Sequence, residues 1–236
     1  MSKKILAIFL ARGGSKRIKN KNILTFFSKP IIQYGLHEAK KSKLFSKIHV
    51  STESIKIRKI VSKLGFDIDF LRPKKLAGDK IESVEVIKYI IDEYKKRGLN
   101  FDIIFNIMPA SPLIKSSDFH KAFQIFKKNK MKYPLQVFSK YPAPIEWAFN
   151  INKNQIAKPI YPSKILKLSQ SFKNYYYESG PFSIFPISIF EKKKKFSFIK
   201  KGFLPYILPN YRAVDIDSLE DLKMAKALFK EKAKNK

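Results

Sequence analysis

The chain of 236 residues contains no cysteine, which excludes disulfide frameworks and thiolate metal sites. Its three histidines (His37, His49 and His120) lie far apart and form no pair at ligand spacing. No apolar run approaches the roughly 20 residues that a membrane helix needs. The opening MSKKILAIFLAR mimics a signal peptide, but its apolar stretch runs only from Ile5 to Ala11, and Arg12 follows without a small-residue cleavage site. A soluble, cytoplasmic protein with no membrane partner is expected. Arginine is scarce as well: of 49 basic residues only six are arginine (Arg12, Arg17, Arg58, Arg72, Arg97 and Arg212), leaving 43 lysines. Nucleic-acid readers lean on arginine for bidentate base and phosphate contacts. The net charge of +30 therefore reads first as a solvated lysine surface, scattered through stretches such as FKKNKMKY and EKKKKF. A basic nucleic-acid-binding protein is the alternative from another class.

What is present is a core. Hydrophobic residues make up 44% and aromatic residues 14% of the chain, enough for one domain spanning residues 1–236. KILAIFLA (4–11) is a continuous apolar run of the kind buried on both faces of a parallel sheet. Helical spacing follows over 30–45, a strand over 47–54, a helix over 55–66 closed by Gly65, and a third short strand, DIDFLRP, over 67–73. SVEVIKYIIDEYKKRG (83–98) is an amphipathic helix, FDIIFNIM (101–108) a buried strand, and 116–129 a helix with Ser or Asp at its start. This alternation predicts an α/β domain with a largely parallel sheet, whose ligands sit at the carboxyl ends of the strands. The polar loops RGGSKR, STES and LRP all fall at that edge. From 134 to 190 the pattern changes to proline- and aromatic-rich segments, expected to be an inserted arm. Residues 211–230 then predict a short strand, a DID turn, and a helix capped by Ser218 with Asp221 three residues on. The tail from 231 is expected to fray.

Two constellations carry chemistry. GGSKRIKNKN fits neither the G-x-x-x-x-G-K-[ST] phosphate loop nor the dinucleotide pattern G-x-G-x-x-G. Its paired glycines after a buried strand still permit close backbone approach to a phosphate, with Arg12, Lys16 and Lys21 to neutralise charge and Ser15 to add a hydroxyl. An ordinary turn with solvated lysines stays open. In VDID, Asp215 and Asp217 are spaced i, i+2 and would share one side of an extended strand. Such a pair suits Mg²⁺, but the two residues equally suit the positive end of the following helix.

Together the motifs resemble one family. FLARGGSKRIKNKNI is similar to the opening of the acylneuraminate cytidylyltransferases (CMP-sialic acid synthetases). LRPKKLAGD resembles their R-P-x-x-L-A-x-D stretch, IMPASPL their Q-P-T-S-P-L segment, and AVDIDSLEDL their closing D-I-D-x-x-E-D. The resemblance implies a doubly wound, mostly parallel, Rossmann-like nucleotidyltransferase fold with an arm for homodimer and acceptor contacts at 134–190. It implies CTP as co-substrate, held by Leu10, Ala11, Arg12, Gly13, Gly14, Ser15, Lys16, Lys21, Asn22, Arg72 and Ser83. Arg12 and Lys21 would be catalytic, with Mg²⁺ on Asp215 and Asp217. The reaction implied is CMP transfer to the anomeric hydroxyl of a nine-carbon α-keto sugar acid, releasing pyrophosphate. YPAPIEWAF and SQSFKNYYYESGPF look most like the pseudaminic acid branch, with Gln170, Glu178 and Ser179 as expected acceptor contacts. Glu146 stands where that branch has Gln, Ser171 where it has Asp, and Met108 where a polar or aromatic residue is usual. Sialic and legionaminic acids are alternatives, as is another acid sugar.

Overall fold

A computed structural model describes residues 3–191 and 199–234. The lysine run at 192–195 lies outside the described residues. A six-stranded sheet forms the centre. In chain order its members are β1 (Ile5–Leu10), β4 (Lys47–Ser51), β5 (Ile103–Ile107), β6 (Leu135–Lys140), β9 (Tyr176–Pro186) and β10 (Leu204–Ile207). Two small antiparallel ribbons supply the other strands, β2 (Thr25–Phe26) with β3 (Lys29–Pro30), and β7 (Phe149–Ile151) with β8 (Ala157–Pro159). The order across the main sheet is β10-β6-β9-β5-β1-β4. β9 alone runs antiparallel, pairing with β5 and β6, while β1 pairs in parallel with both β4 and β5.

Both faces are covered, which is why β1 is apolar throughout: Leu6, Ala7, Ile8 and Phe9 are fully buried. Helices α1 (Ile31–Ser42), α2 (Ile55–Lys63) and α4 (Ser116–Lys128) pack on one face, through Leu36, Ala39, Ile57, Val61, Phe119 and Phe126. Helix α3 (Ser83–Lys96) covers the other with Val86, Ile87, Ile90, Ile91 and Tyr94, the i, i+1, i+4, i+5, i+8 stripe of an amphipathic helix. A short helix, α5 (Ser188–Glu191), adds Phe190 to the same side. The final helix α6 (Leu219–Lys234) docks by Ala225 and Phe229 against Phe26, and continues to Lys234 past the point where fraying was expected.

Three local expectations are corrected. DIDFLRP is not a strand: Ile68 and Phe70 anchor it by side chains, and Arg72 N–H donates to the Thr52 carbonyl at 2.8 Å beyond the end of edge strand β4. The predicted strand before DID is a single 3₁₀ turn, Asn210–Arg212. Pairing with β6 ends at Leu208, whose N–H donates to the Phe138 carbonyl and whose carbonyl accepts from Ser139 Oγ at 2.9 Å. Residues 134–190 contribute their ends to the sheet as β6 and β9, and only 141–175 stand apart from it. The cap of α6 is as expected: Ser218 Oγ accepts from Asp221 N–H at 3.1 Å, while the Asp221 carboxylate accepts from Ser218 N–H at 2.7 Å.

Candidate active site

The carboxyl ends of the parallel strands open into a cleft of about 1330 Å³. Leu10, Arg12, Ser15, Lys16, Lys21 and Asn22 line it from the segment after β1, and Arg72 and Ser83 from the loop beyond β4 and the start of α3. Glu178 and Ser179 enter from β9, and Asp215 and Asp217 from the loop before α6. Residues separated by some two hundred positions thus share one wall.

The basic residues are held by carboxylates. Asp79 accepts from Arg12 Nη1 at 2.7 Å and from Lys16 Nζ at 2.5 Å, and these two cations, Lys16 first, hold its carboxyl below the usual range. Asp217 is gripped from both sides, by Lys21 Nζ and Arg17 Nη1, each at 2.8 Å. Asn22 Nδ2 donates to the Arg12 carbonyl at 2.9 Å and fixes the loop's shape. Arg72 is buried and donates through Nε and Nη2 to Ser51 Oγ and its carbonyl, at 3.0 and 2.8 Å. A triphosphate entering the cleft would exchange the Asp79 pairs for its own oxygens, at little cost because those side chains are solvent-accessible.

The glycines divide their roles. Gly13 N–H donates to Glu53 Oε1 at 2.7 Å, and a Cβ there would lie 3.0 Å from Ser54 Cβ. Gly13 thus serves close packing against the loop after β4, whereas Gly14 faces open space. Ala11 is fully buried and ties its N–H to the Ser51 carbonyl at 2.9 Å. Ala11, Gly13 and Gly14 do not line the cleft. Gln170 is exposed on a 3₁₀ turn, Ser169–Ser171, and does not line this cleft. Its position follows from the arm, which carries it away from the sheet.

Asp215 and Asp217 do not share a strand face. Instead Ile216, fully buried, anchors the loop between them, and both carboxylates reach the cleft from irregular backbone. Burial, and then the neighbouring Asp217, push the Asp215 carboxyl up. Burial, and then Asp215, do the same to Glu178. Desolvated carboxylates that repel one another are what a divalent cation relieves, and two with substrate phosphates suffice for Mg²⁺. No cluster of three or more His, Cys, Asp or Glu able to hold a metal occurs among the described residues. Arg17, Asp79, Asn106 and Ser183 also line the cleft and were missed from sequence. Asp79 lies in the quoted LAGD segment, and Asn106 is the polar interruption of an otherwise apolar strand, so both left a trace.

A mostly parallel sheet with a basic loop after its first strand and paired aspartates at the same edge defines a nucleotide-handling α/β protein. The sequence profile of the family described as Cytidylyltransferase matches residues 6–233, and the chain belongs to that family. It is 30% identical to the pseudaminic acid cytidylyltransferase of Campylobacter jejuni subsp. jejuni serotype O:2 over 227 residues, 96% of this chain and 97% of that one. It is 28% identical over 242 residues to the N-acylneuraminate cytidylyltransferase of Escherichia coli O18:K1:H7, covering all of this chain and 54% of the relative. Among solved structures, a CMP:2-keto-3-deoxy-manno-octonic acid synthetase complexed with CTP superposes with a TM-score of 0.73 at 14% identity, over 97% of this chain and 99% of that one. That likeness bears out the fold.

Proposed function

We propose that this cytidylyltransferase transfers CMP from CTP to the anomeric hydroxyl of a nine-carbon α-keto sugar acid, with pseudaminic acid the acceptor. The observation that carries the reading is the convergence of Arg12, Lys16, Lys21, Asp215 and Asp217 on one cleft. Near-full-length similarity to a pseudaminic acid cytidylyltransferase supports that acceptor. The departures at Glu146, Ser171 and Met108 keep sialic and legionaminic acids as the second reading.

In the reaction the acceptor hydroxyl gives up its proton to solvent, its oxygen bonds to the α-phosphorus as the bond to the bridging oxygen breaks, and pyrophosphate leaves with that electron pair. No covalent enzyme intermediate is required, so the protein's work is positioning and charge neutralisation. Arg12 and Lys16 would receive the β and γ phosphates, and Lys21, largely sheltered beside Asp217, the charge developing nearer the α-phosphorus. Ser15 and Asn22 would orient the triphosphate, and Arg72 and Ser83 would flank the base. Asp215 and Asp217 would hold Mg²⁺, which when bound supplies further neutralisation of phosphate charge.

The 141–175 segment exposes Phe149, Ile151, Ile156, Ile160, Leu166 and Leu168, and we read it as the homodimer contact. Gln170 lies on that arm, so its contact with sugar would be made in the cleft of a second copy. Sedimentation of the purified chain tests this: a monomer at micromolar concentration removes the arm's role. The function itself is tested by pyrophosphate release from CTP and Mg²⁺ with pseudaminic, N-acetylneuraminic and legionaminic acids in turn. Release with pseudaminic acid alone is expected, and release with none of them would overturn the acceptor class.

A further inference from the structure

The sheet face under α3 is mostly apolar, but the row through Ile8 carries polar side chains on both sides, beginning with His49 on β4. Leu6, Ile8, Ile104 and Phe185 are buried there, as packing requires. Asn106 on β5, Ser183 on β9 and Gln136 on β6 interrupt that face in line, because Ser183 is the direct cross-strand partner of both Asn106 and Gln136. Partners in register project to the same side of a sheet, so the row is continuous. Asn106 and Ser183 form part of the cleft floor. The Asn106 Oδ1 is sealed from solvent and has no hydrogen-bond partner, while Ser183 is buried. Buried carbonyls are normally paired, and an unpaired one beside a cleft leaves an acceptor that an entering N–H donor can satisfy.

We propose that Asn106 and Ser183 form a subsite reading an acylamido substituent of the acceptor sugar. This rests on the acceptor class proposed above. The sheet order puts the row on the acceptor side: Arg72 lines the cleft from the loop beyond β4, whereas β9 carries Ser183, the partner of Asn106, together with Tyr177, Glu178 and Ser179. The chemistry selects the group. A carboxamide offers both N–H donors and a carbonyl acceptor, and a hydroxyl can do either, so the pair complements an amide N–H with its adjacent C=O. Carboxylate and phosphate groups are drawn instead to the arginines and lysines of the loop after β1. A site built to pair with such a group discriminates against analogues that lack it.

The test is Asn106→Leu, which keeps side-chain size on an apolar face. Thermal unfolding of the variant should match or exceed the wild type. KM and kcat are then measured for CTP, for an acylamido-bearing nine-carbon acid, and for the nine-carbon acid carrying hydroxyls in place of the acylamido groups. Loss of one hydrogen-bonded group should raise KM for the acylamido acid about tenfold, with CTP KM unchanged and the preference over the hydroxyl analogue lost. Ser183→Ala should move the same ratio in the same direction by less. Equal loss with both acids, a rise confined to CTP KM, or no change in the ratio would each overturn the subsite. A wild type that prefers the hydroxyl acid would also overturn it while leaving cytidylyl transfer standing. A wild type that turns over neither acid would overturn the acceptor class and the subsite with it.

Discussion

Asp217 sits where three charges meet, between Lys21 and Arg17 and one residue beyond the buried Ile216. Asp217→Asn keeps its shape but removes the charge. We expect metal-dependent turnover to fall below detection while the circular dichroism melt stays near that of the wild type; full activity would remove the metal assignment. His49 is a second informative residue, remote from the cleft. It lies between Phe70 and Tyr94 with Nδ1 3.0 Å from the Tyr94 hydroxyl, and burial lowers its pKa from 6.5 to about 4. The unfolded chain therefore takes up this proton at higher pH than the folded one, so stability is lost as pH falls from 6.5 towards about 4. At ~1.4 kcal/mol per pKa unit the loss approaches about 3 kcal/mol. Urea midpoints at neutral and mildly acid pH should separate strongly for the wild type and less for His49→Gln; equal separation would place the effect elsewhere.

Among the elements, β9 does most to build the cleft. Its pairing with β6 steps from Gln136↔Ser183 to Phe138↔Glu178, so β9 carries extra residues across the step. Gly180 sits within that bulge at φ +75°, while Met108 N–H still holds the Pro181 carbonyl at 3.0 Å. The bulge turns Glu178 and Ser179 into the cleft. Open space surrounds a Cβ built at Gly180, so Gly180→Ala should cost only the backbone term of about 1–2 kcal/mol. Acceptor KM should rise more than CTP KM in the same variant. A melt and acceptor KM both unchanged would show that the bulge tolerates an ordinary residue and does not set acceptor geometry.

At the scale of the whole molecule, the +30 charge has no segregated stripe in the sequence, and its useful part is the subset gathered at the cleft. A positive field of this size draws anions, and both CTP and a sugar acid are anionic. We expect kcat/KM for CTP to fall steeply with added salt while kcat changes little; a flat response would mean that the surface lysines contribute nothing to capture. No helix among the described residues is long and apolar enough to cross a membrane.

The alternation of apolar runs and amphipathic stripes was legible along the chain because side-chain periodicity is a local property, repeated every few residues. So were the loop after β1, the Ser218–Asp221 cap and the DID pair, each carried by contiguous residues. Strand order was not legible. That β9 inserts antiparallel between β5 and β6, from a stretch read as an arm, depends on pairings between distant residues. The same long-range pairing places Asn106 opposite Ser183 and brings Asp217 to Lys21, 196 positions away. The sequence by itself determined the main helices, the buried parallel strands and which residues carry charge. Only the tertiary structure decided which of them meet, because a cleft at a sheet edge is assembled by non-local hydrogen bonds and burial that no local pattern encodes.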